Sequence, residues 1–98
     1  DSFIEHDGLI LDMESAILVS GDNRIELTKN DYRIMELLMR NAGRVVSRDK
    51  IMERLWQSDE FIDDNTLTVN MTRLRKKLEA EGLRDVIKTK KGMGYIIE

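Results

Sequence analysis

Short apolar runs separated by turn residues make up the first 27 residues of the chain. The runs are FIEH, LILDM, ILVS and RIEL, and the turn residues between them include Gly8 and the segment 21–23. Alternation of apolar and polar positions over four or five residues is typical of half-buried strands, and Gly, Asp and Asn favour tight turns. The pattern therefore predicts a four-stranded antiparallel meander over residues 1–27.

The spacing of apolar residues changes to a helical period after residue 27. Thr28, followed three residues later by Asp31, resembles a capping box, and apolar side chains then recur every three or four positions. Gly43 is the expected left-handed cap of this first helix. The RVVS segment that follows is short and β-prone, and its Ser47 is the expected N-cap of a second helix over RDKIMERLW. The apolar sides of the two helices are Ile34, Leu37 and Leu38, and Ile51, Met52 and Leu55.

The segment DDNTLTVNMTRLRKKL predicts a third helix that has Asp64 as its N-cap and ends near Gly82. No acidic residue occurs between Asp64 and Glu79, whereas solvated helices usually mix both signs of charge. The outer face of this helix is therefore expected to meet an anionic partner. A core-facing stripe is formed by Leu67, Met71, Leu74 and Leu78, and the outer face carries Thr66, Val69, Asn70, Arg73 and Lys77.

Two β-prone runs joined by a Lys/Gly turn end the chain, in the segment VIKTKKGMGYII, and they predict a hairpin. Four strands, three helices and a terminal hairpin make an α+β winged helix-turn-helix. In this fold the third helix enters the major groove of DNA, and we expect the hairpin, or wing, to lie beside it on the backbone or in the minor groove. We expect one domain over 1–98, made of the meander at 1–27, a three-helix core at 28–82 and the wing at 83–98.

The distribution of charge supports this expectation, although the net charge of -3 does not. Residues 1–65 hold 8 Lys and Arg against 15 Asp and Glu, whereas residues 66–91 hold 8 against 3. A local positive field can attract an anion even when the whole molecule is acidic. The fold explains the segregation, because it places the third helix and the wing side by side.

Composition fits one small domain, since 41% of the 98 residues are hydrophobic. There is no cysteine, and no signal peptide, lipidation motif or apolar run of membrane-spanning length is present. We therefore expect a cytoplasmic protein that does not bind membranes. Because the chain begins with Asp1, we expect it to be an excised domain of a longer protein.

The chain lacks the residues that an enzyme would need. It has a single histidine, His6, and no Gly-rich phosphate loop. Asp59, Glu60, Asp63 and Asp64 lack the spacing of a calcium loop, so an acidic loop with a helix cap is the simpler interpretation. We expect no enzymatic activity, no cofactor and no bound metal.

Three segments resemble one known family. ELTKNDYRIMELLMRNAGRVVSRDKIMERLW, TLTVNMTRLRKKL and KTKKGMGYII are similar to the effector domain of OmpR/PhoB-type response regulators. The segment DDNTLTVNMTRLRKKL particularly resembles the subgroup associated with antimicrobial-peptide and bacitracin sensing in Gram-positive bacteria. The resemblance implies sequence-specific binding of double-stranded DNA and regulation of transcription, as the output domain of a two-component system.

The same resemblance implies partners that cannot be inferred from these 98 residues alone. It implies an N-terminal receiver domain, a cognate sensor kinase and a dimer that binds tandem half-sites on DNA. It also implies a contact with RNA polymerase through the loop 57–63. The alternative is a winged helix that binds an acidic protein surface, and duplex titration at low salt would distinguish the two.

The resemblance also assigns site residues by position. Arg73 has the fork that pairs with guanine, or it binds phosphate, and Val69 suits a thymine methyl group. Trp56 is expected in the core beneath the third helix, with its indole N–H reaching a phosphate. Lys91 stands where relatives commonly have an arginine. Because lysine has a point charge instead of a fork, a contact with DNA is expected here but a fine reading of minor-groove shape is not. Base contacts are expected from Thr66, Val69, Asn70 and Arg73, phosphate contacts from Arg48, Trp56, Arg75, Lys76, Lys77 and Thr89, and wing contacts from Lys90 and Lys91.

Overall fold

The computed structural model of the chain describes residues 2–57 and 61–98. The order of its elements confirms the predicted α+β winged helix-turn-helix. No helix within the described residues is both long and apolar enough to cross a membrane. The elements are β1 (Phe3–His6), β2 (Leu9–Asp12), β3 (Ile17–Ser20), β4 (Asn23–Glu26), α1 (Lys29–Arg40), α2 (Arg48–Trp56), α3 (Asp64–Ala80), β5 (Lys88–Lys90) and β6 (Gly94–Ile96).

The first four strands form one antiparallel sheet in the order β1-β2-β3-β4. Leu11 pairs with Leu18, and Leu18 pairs with Ile25, so these three side chains lie on the same face of the sheet. All three are at most 3% exposed and belong to the core. Burial of this face against the helices is the main reason that the alternating sequence forms a sheet.

The helix starts agree with the sequence at two of three positions. Thr28 and Asp31 form the predicted capping box, and the Ser47 side chain accepts a hydrogen bond from the Lys50 N–H. The N-cap of α3 is Asp63, and the prediction of Asp64 is wrong. Asp63 has an extended backbone and its Oδ1 accepts from the Thr66 N–H at 2.8 Å. Asp64 is already helical, which leaves its carboxylate for another partner.

The end of α1 also differs from the prediction. Gly43 has the expected left-handed conformation, with φ of 86°. The helix nevertheless ends earlier, at Arg40, with Asn41 as its C-cap. The Gly43 N–H donates instead to the carbonyl of Ile97 at 2.8 Å. This residue therefore joins the connection between α1 and α2 to the end of the chain.

The predicted hairpin is formed by β5 and β6, but Val86 and Ile87 lie before the strand that was expected to include them. The RVVS segment contributes a single bridge, in which Val46 and Tyr95 exchange two backbone hydrogen bonds of 2.8 and 2.9 Å. Gly94 has φ of 149°, and a Cβ at this position would overlap the Val46 carbonyl. The close approach of the two backbones therefore requires glycine here, and it fixes the wing beside the start of α2.

Candidate nucleic-acid interface

The outer face of α3 presents most of the residues expected to contact bases. Thr66 and Arg73 are exposed, Val69 is 48% exposed and Asn70 is partly buried. The Asn70 Nδ2 donates to the Thr66 carbonyl at 2.8 Å, which leaves its Oδ1 as an acceptor. In the described parts of the chain, the Arg73 side chain has no hydrogen-bond or ion-pair partner. This surface combines a free guanidinium, an amide oxygen and an apolar side chain.

Lys77, one turn beyond Arg73, lies on the same side of α3, but its ammonium is bound within the fold. Its Nζ lies 2.7 Å from Asp31 Oδ2 and 3.3 Å from the carbonyl of Glu26. At 3.6 residues per turn the position of Lys77 lies within the arc spanned by Val69 and Asn70, so the length of the side chain, and not the helix position, brings its ammonium to α1. The ammonium is therefore used inside the fold and joins α3 to the start of α1.

Arg48, the first residue of α2, binds both the start of α3 and the wing strand β6. Its Nε donates to Asp64 Oδ1 at 2.8 Å, and its Nη2 donates to both the Asp64 carbonyl and the Thr68 hydroxyl at 2.8 Å. Its Nη1 donates to the Tyr95 hydroxyl of β6 at 2.6 Å. The hydrogen bond with Asp64 is the largest cause of the raised pKa of Arg48. These four bonds occupy most of the N–H donors of Arg48. Its phosphate contact stays a prediction.

Arg75 is held in a similar way against the wing. Its Nη2 donates to the Thr89 hydroxyl of β5, and its guanidinium lies 5.3 Å from the centre of the Tyr95 ring. Arg48 lies 5.7 Å from the same ring centre, and Tyr95 is only 5% exposed. Arg75 Nε is buried without a hydrogen-bond partner, so contact with the aromatic face stands in for one. Two arginines therefore converge on one tyrosine of the wing.

The lysines of the wing differ in their availability. Lys88 and Lys90 lie 2.8 and 3.4 Å from the Glu98 carboxylate. The hydrogen bond with Lys88 is the largest cause of the lowered pKa of Glu98, and its counterpart raises the pKa of Lys88. Lys91, at the turn, is exposed and has no partner within the described residues. Among these three, Lys91 is the cation most available to a phosphate.

A groove of about 410 Å³ lies between the wing and the starts of the two helices. Its walls come from the first residues of α2, from Asp64 and from the wing. It thus adjoins both the exposed start of α3 and the turn that carries Lys91. The lining residues are Ser47, Arg48, Asp49, Asp64 and the segment 89–95.

Trp56 lies on the surface, and the expectation that it is a core residue is wrong. This residue is 45% exposed, and its ring stacks on that of Phe61 with the ring centroids 5.7 Å apart. The indole N–H donates to the Ile62 carbonyl at 3.0 Å, so this donor is already used within the fold. Ile62 occupies the core instead, at 3% exposure. A single tryptophan in sequence does not distinguish a buried ring from one that covers a loop.

The loop expected to contact RNA polymerase is only partly described. Gln57 and residues 61–63 lie within the described ranges, and Phe61 is 80% exposed. Residues 58–60 lie outside them, and so do Asp59 and Glu60 of the acidic loop.

Sequence reasoning did not identify Asp64 and Tyr95 as partners in this region. Asp64 was assigned to a cap, and Tyr95 was placed only in the wing turn. Two signals were present: an acidic residue at the start of an otherwise basic helix, and an aromatic residue directly after the GMG turn. Neither signal names a partner, because Arg48 is 16 residues from Asp64 and 47 from Tyr95.

The fold and this surface define a winged-helix DNA-binding domain. The chain matches the family described as "Transcriptional regulatory protein, C terminal" over residues 22–97, and it belongs to that family. It is a DNA-binding effector domain of the OmpR/PhoB type, a domain of transcriptional regulators rather than of enzymes.

Individual relatives confirm the expected subgroup. The chain is 43% identical over 89 residues to the sensory transduction protein BceR of Bacillus subtilis. The aligned residues make up 91% of this chain and 38% of BceR. The C-terminal domain of NsrR, a lantibiotic response regulator and nisin resistance regulator, is 39% identical with a TM-score of 0.82 over 96% of this chain and 95% of that domain. The RstA DNA-binding domain of Klebsiella pneumoniae, solved with the RstA box, is 26% identical with a TM-score of 0.80 over 99% and 97% of the two chains. The similarities to BceR and NsrR place the chain in the antimicrobial-peptide subgroup, and the similarity to RstA supports the type of domain.

Proposed function

We propose that this domain binds duplex DNA in a sequence-specific manner, with α3 in the major groove and the wing on the backbone or in the minor groove. The observation that carries the proposal is the exposed face of α3, where Arg73 has no partner within the described residues. An unpaired guanidinium on a helix of this fold is suited to a base edge or a phosphate.

The chemistry of the face suggests how sequence would be read. Arg73 would donate two hydrogen bonds to guanine O6 and N7, and Val69 would contact a thymine methyl group. The Asn70 amide nitrogen is held by Thr66, so its free Oδ1 would accept from the amino group of adenine or cytosine. Thr66 lies one turn before Asn70 and would contribute a hydroxyl group to the same groove. Because this face of α3 combines hydrogen-bond donors, acceptors and an apolar group, it is suited to one DNA sequence rather than to all sequences equally.

A smaller set of cations than expected from sequence would bind phosphates. Lys76 and Lys91 are exposed and unpaired within the described residues, so they are the best candidates. Lys90 would first have to leave Glu98, to which it is bound through a contact of 3.4 Å. Thr89 shares its hydroxyl with Arg75. Lys77, Arg75 and Arg48 are each held by internal partners, so few phosphate contacts and a modest salt dependence are expected.

The wider assembly follows from the family resemblance. The chain spans 38% of the length of BceR, so a full-length protein with further domains is consistent with this relative. We propose a cytoplasmic response regulator whose receiver domain is controlled by a sensor kinase and whose dimer binds tandem half-sites. RNA polymerase would contact the loop 57–63, where exposed Phe61 offers an apolar surface.

Selection of bound sequences from a random duplex pool tests the proposal directly. We expect an enriched half-site that occurs in tandem when the full-length dimer is used and singly with this domain. Binding should weaken with salt according to the number of phosphates neutralised. Recovery of no enriched sequence, together with no duplex binding at low salt, would instead support an interface for an acidic protein surface.

A further inference from the structure

We propose that Arg48 is a positioning residue that sets the wing relative to α3, and that it is not a ligand of DNA phosphate. The inference rests on the proposed DNA-binding mode, because it concerns how two parts of one interface are held at a fixed angle. It assigns Asp64 and Tyr95 to the same task.

The geometry of the guanidinium carries the first step. An arginine side chain has five N–H donors, and Arg48 directs four hydrogen bonds at protein acceptors between 2.6 and 2.8 Å. These acceptors belong to the first five residues of α3 and to β6 of the wing. Because the fork is planar and rigid, the directions of its bonds fix the two elements relative to each other. At most one N–H remains for a phosphate.

A second contact, made by Arg75, fixes the angle between α3 and the wing. Arg75, further along α3, donates to Thr89 of β5 and lies over the Tyr95 ring. The wing is therefore held at the start of α3 through Arg48 and further along α3 through Arg75. One link alone would act as a hinge, whereas two separated links restrict rotation. The Tyr95 backbone adds a third restraint through Val46.

The position of Asp64 supplies an independent argument. Its side chain is 69% exposed at the start of a helix expected to meet DNA, where a negative charge repels phosphates. The N-cap is provided by Asp63, so capping does not explain Asp64. Orientation of Arg48 does explain it, through the 2.8 Å contact with Nε. Repulsion and positioning predict opposite signs for the removal of this carboxylate.

Four variants separate the two effects. Asp64→Ala removes the charge and the acceptor, and Asp64→Asn removes the charge but keeps an oxygen. Asp63→Asn is the matched control, since it removes the same charge one residue away and asparagine caps a helix as well as aspartate. Tyr95→Phe removes one acceptor of Arg48 without a change of charge. Affinity for a selected duplex and for a scrambled duplex would be measured over a salt series.

The inference predicts weaker cognate binding for Asp64→Ala by roughly three- to tenfold, although its net charge favours DNA. The magnitude of the salt slope should fall by about 0.9, as expected when a wing cation no longer reaches its phosphate. Tyr95→Phe should show the same two changes, Asp64→Asn should be intermediate, and Asp63→Asn should bind equally or more tightly. Circular dichroism at the assay temperature identifies variants that have unfolded, and Asp64→Asn keeps the test open if Asp64→Ala is among them.

Two results would contradict parts of this scheme separately. If the unmodified domain binds DNA and Asp64→Ala binds as tightly as Asp63→Asn or more tightly, with an unchanged slope, Arg48 does not position the wing. If the unmodified domain binds no duplex at low salt, the proposed function itself fails. A further check is Arg48→Lys, which keeps the charge and loses the fork. Retained cognate affinity in that variant would support a phosphate contact and overturn the inference.

Discussion

Lys77 Nζ lies 2.7 Å from Oδ2 of Asp31, and this ion pair joins α3 to the capping box of α1. Asp31 is 6% exposed, and its Oδ2 also accepts from the N–H of Thr28. One carboxylate thus accepts hydrogen bonds from the start of α1 and from a lysine of α3. The neighbouring Lys76 is exposed and free of such contacts within the described residues. Adjacent lysines therefore have different tasks.

Alanine variants of the two lysines should fail in different ways. Lys77→Ala should lower the free energy of unfolding by about 1 to 3 kcal/mol, because it leaves a buried carboxylate without its partner. Its DNA affinity and salt slope should change little once the protein is folded. Lys76→Ala should keep its stability and lose about 0.9 from the magnitude of the salt slope. Chemical denaturation and anisotropy titrations measure the two quantities, and an exchange of the two outcomes would refute the assignment.

Arg73 and Lys91 provide a test of base reading against backbone binding. Arg73→Ala should cost about 1 to 3 kcal/mol on the selected duplex and reduce the preference at one base position, because a bidentate contact carries sequence information. Lys91→Ala should weaken selected and scrambled duplexes by similar factors and preserve the preference. Fluorescence anisotropy on both duplexes over a salt series measures the difference. Uniform loss of affinity in Arg73→Ala would make this residue a phosphate ligand.

The N-cap of α3 gives a prediction about stability and pH. Asp63→Ala should lower Tm by roughly 4 to 8 °C, the size expected for one lost cap in a domain of this length. Hydrogen bonds with the side chain and backbone of Thr66 lower the pKa of Asp63 below its ordinary value of 3.8. A carboxylate with a lowered folded pKa stabilises the protein above its unfolded pKa and ceases to do so as pH falls through the folded value.

The difference in Tm between the unmodified domain and Asp63→Ala should therefore be constant near neutral pH and shrink below about pH 3.8. Thermal melts followed by circular dichroism between neutral pH and pH 2.5 measure this difference. Asp63→Asn is the control, since it keeps a cap that does not titrate. A difference that persists unchanged to the lowest pH would show that ionisation of Asp63 plays no part.

Trp56 is predicted to be independent of DNA. Because it is 45% exposed and its N–H is bound to Ile62, its emission should be quenched by acrylamide equally with and without saturating duplex. The chain has one tryptophan, so the signal is unambiguous. Trp56→Phe should keep the stack with Phe61 and change DNA affinity less than twofold, within ordinary surface effects. Protection of the indole by DNA would restore the phosphate contact expected from the sequence.

Local patterns account for the features that were predicted well. The stripe from Leu67 to Leu78 and the caps at Thr28 and Ser47 depend on residues within a few positions of one another, and all have the expected burial or hydrogen bonds. The adjacent carboxylates at 63 and 64 mark a limit of this approach. Either aspartate satisfies the local rule for a cap, so sequence alone did not choose between them.

By itself, then, the sequence determined the order of elements, the buried face of each helix and the concentration of positive charge after residue 65, because periodicity and composition are local properties of the chain. Only the tertiary structure decided which charges remain free. Lys77 and Arg48 find acceptors 46 and 16 residues away, and Tyr95 receives Arg48 across 47 residues. Such pairs form because packing brings distant polar groups together and a partly buried charge is stable only with a partner.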